Sequence, residues 1–365
     1  MATSGPPPGA TRGVRVRPML KPALRRLWRD AATVQLGVDP ERAVVLGGVD
    51  GPAATVLDLL DGSRDWAGVL AAAAAAGVHP SSTASLLELL DGAGVLDDAA
   101  TDAGPLAALG RAERERMAPD LASVSLLRPR PGAALGVLAR RSSAVVSVIG
   151  AGRIGVPVAT LLAAAGVGHL AVEAGGTVTP PDTMPGGWQL SDVGAPVGAA
   201  VRAAVRRIAP TARCGPVPAD RRPDIVVLVG PAAADPALRV ELLRAGVPHL
   251  ATGVREVTGV VGPLVLPGRS ACLRCLDLSR ADRDPAWPLL SAQLTGTSAD
   301  GIRAGDTVLA AATAALAAGQ VLAVLDGGRP ATVNGTLELG LPGWRLRRRG
   351  WSPHPACGCA WRQTG

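Results

Sequence analysis

Residues 146–176 read VSVIGAGRIGVPVATLLAAAGVGHLAVEAGG, and this stretch decides the fold. An apolar run ends in Gly150, and Gly150, Gly152 and Gly155 then form G-x-G-x-x-G ahead of a small-residue helix. A second apolar run, HLAVEA (169–174), ends at an acid, Glu173, about 20 residues beyond the glycines. Strand, glycine turn, helix, strand and acid is the order in which a dinucleotide-type βαβ unit is built. The glycines permit a tight turn and let a phosphate approach the helix N-terminus, and a carboxylate at Glu173 could accept from a ribose hydroxyl. Packing of helix on strand alone would also select those glycines, so the motif leaves nucleotide binding open.

Outward from this unit the alternation continues. DIVVLVG (224–230), PHLATGV (248–254) and GVVGPLVLPG (259–268) are apolar strands separated by helical segments at about 195–208 and 236–246. Continuous apolar strands interleaved with helices predict an α/β, doubly wound, Rossmann-like domain over 144–365, with an Ala-rich helix at roughly 305–325. Residues 1–18 are rich in Pro, Gly and Arg and read as a flexible tail. Residues 19–98 read differently. TVQLGV (33–38) and AVVLGG (43–48) predict a hairpin, and helices follow at 53–62, 64–77 and 80–94, with Gly62, Gly77 and Gly92 as their stops. A hairpin and three short helices make a small winged-helix-like α+β module. Residues 99–143 are a linker and a lead-in helix.

Composition narrows the function classes. Hydrophobic residues make up 48% of the 365-residue chain, enough for packed cores. The net charge is +7, yet Lys21 is the only lysine among 37 basic residues, and all seven aromatic residues are Trp. That skew has the look of GC-rich codon usage, and the aromatics do not interleave with the basic residues as a base-stacking surface requires. No nucleic-acid partner is expected. Nor is a membrane partner, because no long apolar run reads as a span and the N-terminus lacks a signal core. A cytoplasmic location is the expectation.

Cys272 and Cys275 (C-x-x-C) and Cys357 and Cys359 (C-x-C) are four of the five cysteines. Four thiolates can complete a tetrahedral structural Zn2+ site, with His354 as a reserve ligand; two free or redox pairs are the alternative. Cys214 stands apart, as a small strand-end residue or a thioester-forming nucleophile. Trp287 reads as either a packing anchor or an interface residue. His79, His169 and His249 read as structural.

GAGRIGVPVATLLAAAGVGHLAVEA, PLVLPGRSACLRCLDL and the terminal HPACGC together resemble the ThiF/MoeB-type, ubiquitin-activating-like adenylyltransferases, over about Leu106 to the C-terminus. In particular the chain resembles the ocin-ThiF-like branch found in the biosynthesis of thiazole/oxazole-modified peptides, and residues 20–98 resemble a PqqD-like peptide-recognition element. The resemblance implies the tetrathiolate zinc site and adenylation of a C-terminal carboxylate with ATP and Mg2+; members of the family commonly form homodimers. It also implies an Asn and an Arg after the acid, a lysine near the phosphates and an aspartate on magnesium after the third strand. Only the glycines and Glu173 carry over. Val197 stands where the lysine belongs, the segment after Glu173 lacks the Asn and Arg, and Pro231-Ala232 replace the aspartate turn, with Asp235 several residues late. Arg153 or Arg202 could offset one such loss but not all of them together.

These residues favour a peptide-binding scaffold over an enzyme. A precursor's leader peptide would add as a strand beside Val44, Val45 and Leu46 and seat apolar side chains against Leu86, Leu87 and Leu90; these residues could equally be the core of the module. By resemblance the partner would be a YcaO-type cyclodehydratase. The rival is an active adenylyltransferase that uses ATP and magnesium on a peptide or carrier-protein carboxylate. A DNA-binding regulator is a weaker third reading, because the third helix, STASLLELLDG, carries no basic residue.

Overall fold

Local caps and alternating apolar residues set the elements of the N-terminal unit in the computed structural model, which describes residues 16–101, 104–295 and 304–359. The tail expected at 1–18 falls outside the described residues up to position 15. Chain contacts divide the protein into a unit ending at Ala139 and a second from Arg140 onward.

In the first unit β1 (Pro18–Leu20) pairs with β5 (Leu96–Asp98). β2 (Arg26–Asp30), β3 (Thr33–Leu36) and β4 (Val44–Gly47) form an antiparallel sheet in the order β2-β3-β4. The expected hairpin is β3–β4; β1 and β2 were not expected, because PML and RLWRD are short and carry no clean alternation. Helices α1 (Gly51–Asp58), α2 (Trp66–Ala75) and α3 (Pro80–Gly92) follow. Asp50 and Asp65 accept from the amides of Ala53 and Gly68, so each acid satisfies an otherwise orphan donor at its helix start. The left-handed stop after α3 is Gly94 (φ +69°), not Gly92, which stays in the last helical turn. Val34, Leu36 and Leu46 from the sheet pack with Leu57, Val69, Leu87 and Leu90 from the three helices and with Leu60 just past α1.

Beyond β5 come α4 (Gly104–Ala107), α5 (Arg111–Leu127) and α6 (Ala133–Ser143), the last crossing the unit boundary. Lys21 ties the small sheet to α5. It is 2% exposed, and its Nζ donates to the carbonyls of Ser125 and Arg128, each at 2.7 Å. The charge thus caps a helix C-terminus, where a cation is favoured by the helix dipole. Asp97 joins the knot by accepting from Ser125 Oγ and the Gly132 amide.

The second unit holds an eight-stranded mixed sheet. Its strands are β6 (Val145–Ile149), β7 (His169–Glu173), β8 (Arg213–Cys214), β9 (Ile225–Val229), β10 (His249–Arg255), β11 (Thr258–Val265), β12 (Gly335–Gly340) and β13 (Arg345–Gly350). The order is β13-β12-β11-β10-β9-β6-β7-β8. The five strands β8, β7, β6, β9 and β10 run parallel, and the remaining three are antiparallel. The chain winds from β6 out to β8, then returns to β9 on the other side of β6. The crevice beyond the carboxyl ends of β6 and β9 is therefore the topological switch point, where doubly wound folds bind ligands.

Helices cover both faces. α7 (Gly152–Ala164), α8 (Val197–Ile208) and α12 (Thr307–Leu325) share one core with β6, β7 and β9. α9 (Pro236–Arg244) and α10 (Leu273–Ala281) share the other with β9, β10 and Trp351; α11 (Trp287–Thr295) follows α10. By length and composition alone α12 is apolar enough to cross a membrane. Its apolarity is that of a core helix: Leu309, Ala310, Thr313, Ala314, Ala317, Ala318 and Val321 are buried.

Lys21→Ala removes the buried cation and both of its hydrogen bonds to the end of α5. It is expected to cost about 3 kcal/mol, read as a lowered urea midpoint of the full chain.

Candidate functional site

The glycine turn forms because its backbone excludes side chains. Gly150 has φ +104° and Gly152 φ +67°, conformations that L side chains rarely adopt. A Cβ at Gly155 would overlap the carbonyl oxygen of Gly150, so α7 can approach β6 only with glycine there. The Gly150 amide donates to the Glu173 carbonyl at 2.9 Å, which holds the turn against the end of β7. The Glu173 carboxylate is exposed and accepts from Ser147 Oγ at 3.2 Å, a partner that the sequence pattern did not flag.

The surrounding charge is mostly negative. Asp182 Oδ1 stands 3.4 Å from where a Cβ on Gly152 would lie, and the Asp182 carboxylate also accepts from Thr179 N and Oγ1. Spacing alone could not find Asp182, since only the fold returns that loop to the helix start. Arg153, the one cation inside the turn, is already engaged. Its guanidinium donates to the Gly305 carbonyl and, at 2.6 Å, to Thr307 Oγ1, at the N-terminal end of α12. Val197 opens α8 as an apolar, buried residue. Asp235, the late acid after β9, caps α9 by accepting from the amides of Ala237 and Leu238.

The structure brings the four cysteines together. Cys272 and Cys275 are buried at the start of α10, and Cys357 and Cys359 return from the C-terminal segment. Their Sγ atoms all lie within 4.8 Å of one another, with Cys272–Cys275, Cys272–Cys357 and Cys275–Cys359 at 3.7, 3.4 and 3.3 Å. Ligands about 2.3 Å from a tetrahedral centre stand about 3.8 Å apart, so this donor set fits a thiophilic metal ion. A hydrogen bond from Cys272 holds the Cys275 thiol down at about 4, whereas burial pushes Cys359 up to about 12. One ionised sulfur thus suppresses ionisation of its neighbours, an arrangement that a cation would relieve.

His354 is not in this set. Its Nε2 contacts Asp282 Oδ2 at 2.9 Å and its Nδ1 accepts from the Ala356 amide, so both ring nitrogens are spent. Trp287 is a packing anchor: Nε1 donates to Asp277 Oδ1 at 3.3 Å, and Arg280 stacks 4.8 Å from its ring. Arg280 also lies 5.5 Å from the ring of Trp351, bracing the segment that carries the last two cysteines. Burial raises the Cys214 thiol above its usual range, which suits a strand-end residue rather than a nucleophile. His249 is buried, held neutral by desolvation, and hydrogen-bonded to the Val247 carbonyl; His79 caps α3.

In the N-terminal unit the structure separates the six residues expected to bind peptide. Leu87 and Leu90 are 0% exposed and Leu46 is 5% exposed, so these three form the module's core and cannot line a groove. Leu86 and Val44 are half-buried, and Val45 is exposed. α3 instead presents Leu89 to solvent. β4 has β3 on one side and no strand on the other among the described residues.

Gly155→Ala is expected to lower the thermal midpoint by several degrees, because the methyl group must force α7 from the sheet. Metal analysis of the full chain should give one bound metal per chain, and Cys272→Ser should abolish it. Chelation should lower the unfolding midpoint, since binding to a folded site contributes directly to folding free energy.

Solved structures similar in fold include Escherichia coli MccB with ATP, at a TM-score of 0.68 and 15% identity over 94% of this chain and 99% of that one. MccB with MccA-N7isoASN gives a TM-score of 0.68 and 14% identity over the same shares. The protein PaaA gives 0.68 and 17% over 90% of this chain and 99% of that one. A comparison with curated protein sequences returns no match. Residues 134–359, more than half of the chain, match the ThiF family. The glycine turn, the doubly wound sheet and this match agree: the chain belongs to the ThiF family.

Proposed function

We propose that this ThiF-family protein is a peptide-binding scaffold in the maturation of a ribosomally made, thiazole- or oxazole-modified peptide, and that it does not adenylate. The carrying observation is that β4 has no strand on its outer side among the described residues, with Val44 and Leu86 half-buried against the core and Val45 exposed on the opposite sheet face. Such an edge offers unpaired N–H and C=O groups to an extended peptide, while neighbouring side chains set specificity. Residues 19–98 serve as the PqqD-like recognition element, 99–143 connect, and 144–365 form the ThiF-like body. The solved MccB structures with MccA support a peptide partner by analogy of fold. The captured precursor is presented to a YcaO-type cyclodehydratase.

The crevice supports the non-adenylating half of this reading. Transfer of an adenylyl group needs cations to offset charge building on the phosphates. Here Arg153 is tied to α12, Val197 is apolar, and two carboxylates, Glu173 and Asp182, border the turn. Zn2+ on Cys272, Cys275, Cys357 and Cys359 is structural in this proposal: it pins the C-terminal segment to α10 and supplies no reactive group.

A second reading draws on the same two carboxylates. Glu173 and Asp182 could bind a magnesium ion carrying ATP, as an active adenylyltransferase requires, and MccB has been solved with ATP.

Two measurements on the full chain separate these readings. ATP–pyrophosphate exchange with the cognate precursor is expected to be undetectable; robust exchange establishes the adenylyltransferase. Leader peptide should bind with a Kd of about micromolar or tighter. Val45→Glu should weaken binding about tenfold without changing the unfolding midpoint. Leu87→Ala should instead cost about 2–5 kcal/mol of stability, as a buried core truncation does. No binding with leader in large excess removes the recognition role.

A further inference from the structure

β13 is the outermost strand of the eight-stranded sheet, paired with β12 on one side only. Its sequence is RLRRRG, and every residue is exposed. Arg349 pairs with Glu338 at 3.0 and 3.2 Å. Arg348 donates to the carbonyls of Ala331, Val333 and Asn334 and meets no carboxylate there. The side chains of Arg345 and Arg347 make no hydrogen bond or ion pair among the described residues. Arg347 stands opposite Glu338 in the register, but that carboxylate is engaged by Arg349.

Alternation along a strand places Arg345, Arg347 and Arg349 on one face, about 7 Å apart in succession. The outer edge of the strand also carries backbone donors and acceptors that no neighbour among the described residues satisfies. A second copy meeting this edge would set arginine against arginine, which is unfavourable between adjacent strands. An extended segment with acids at every second residue meets both demands: its backbone completes the ladder, and its carboxylates face Arg345 and Arg347. A nucleic-acid strand would answer the charge but leave the backbone groups unpaired, and among the described residues only Trp344, 44% exposed, stands ready to stack a base there.

We propose that β13 is a docking edge for an extended acidic segment of a partner protein, which adds as a ninth strand with its carboxylates on Arg345 and Arg347. This inference does not rest on the leader-binding role of β4.

The test uses the full chain and a fluorescein-labelled octapeptide of alternating Glu and Val, followed by anisotropy at low and high salt. A backbone N-methylated copy of the peptide and a single-stranded oligonucleotide of equal charge serve as comparisons. Wild type should bind the alternating peptide at low salt and weaken as salt screens the pairs. Arg345→Glu with Arg347→Glu should weaken binding at least about tenfold, and Arg345→Gln with Arg347→Gln should do so partly. Both variants should keep the wild-type unfolding midpoint, since both side chains are exposed. N-methylation should weaken binding likewise. Absent binding, equal binding of the N-methylated peptide, or tighter binding by the competing oligonucleotide overturns the proposal.

Discussion

The missing side chain at Gly155 is the constraint on which the C-terminal unit depends. Because no Cβ stands between α7 and the carbonyl of Gly150, the helix start approaches the end of β6 closely. That contact sets the crevice beside β9 and brings the Glu173 carbonyl onto the Gly150 amide. It also gives α7 nine buried residues, from Ile154 to Ala163, through which it shares a core with α12. A larger residue at position 155 would displace the element that defines both the site and one of the two cores.

A similar economy governs the opposite face. The chain leaves β13 for a C-terminal segment with little regular structure, yet Trp351 and two cysteines there are drawn into the core beside α10. Irregular backbone buries little apolar area, so the thiol cluster and the Arg280 contacts with Trp287 and Trp351 carry its anchoring. In the N-terminal unit Lys21 does comparable work by capping α5, which is why the only lysine of an arginine-rich chain lies in the interior rather than on the surface.

Much of this was legible in sequence because it rests on local rules. G-x-G-x-x-G between apolar runs, the hairpin at 33–48 and the paired cysteines each follow from turn chemistry, alternation or ligand type. Where the reading failed, a non-local contact had decided the outcome. Leu87 and Leu90 have the spacing of a groove and of a core alike, and only the sheet packed across them makes them core. His354 is close to the cysteines in sequence, but Asp282 claims its ring. β1 is held by β5, far along the chain, and by residues 60–62 after α1.

By itself the sequence determined the element types, the doubly wound class and the residues able to ligate a metal, because backbone sterics and hydrophobic period are properties of short segments. The tertiary structure alone decided which of those residues act together. It turned Arg153 away to α12, brought Asp182 to the helix start, gathered four sulfurs from positions far apart and, among the described residues, left β4 and β13 as open edges. The physical reason is that charge, ligation and edge exposure depend on distances between segments, and those distances are set only when the sheets and helices close over their cores.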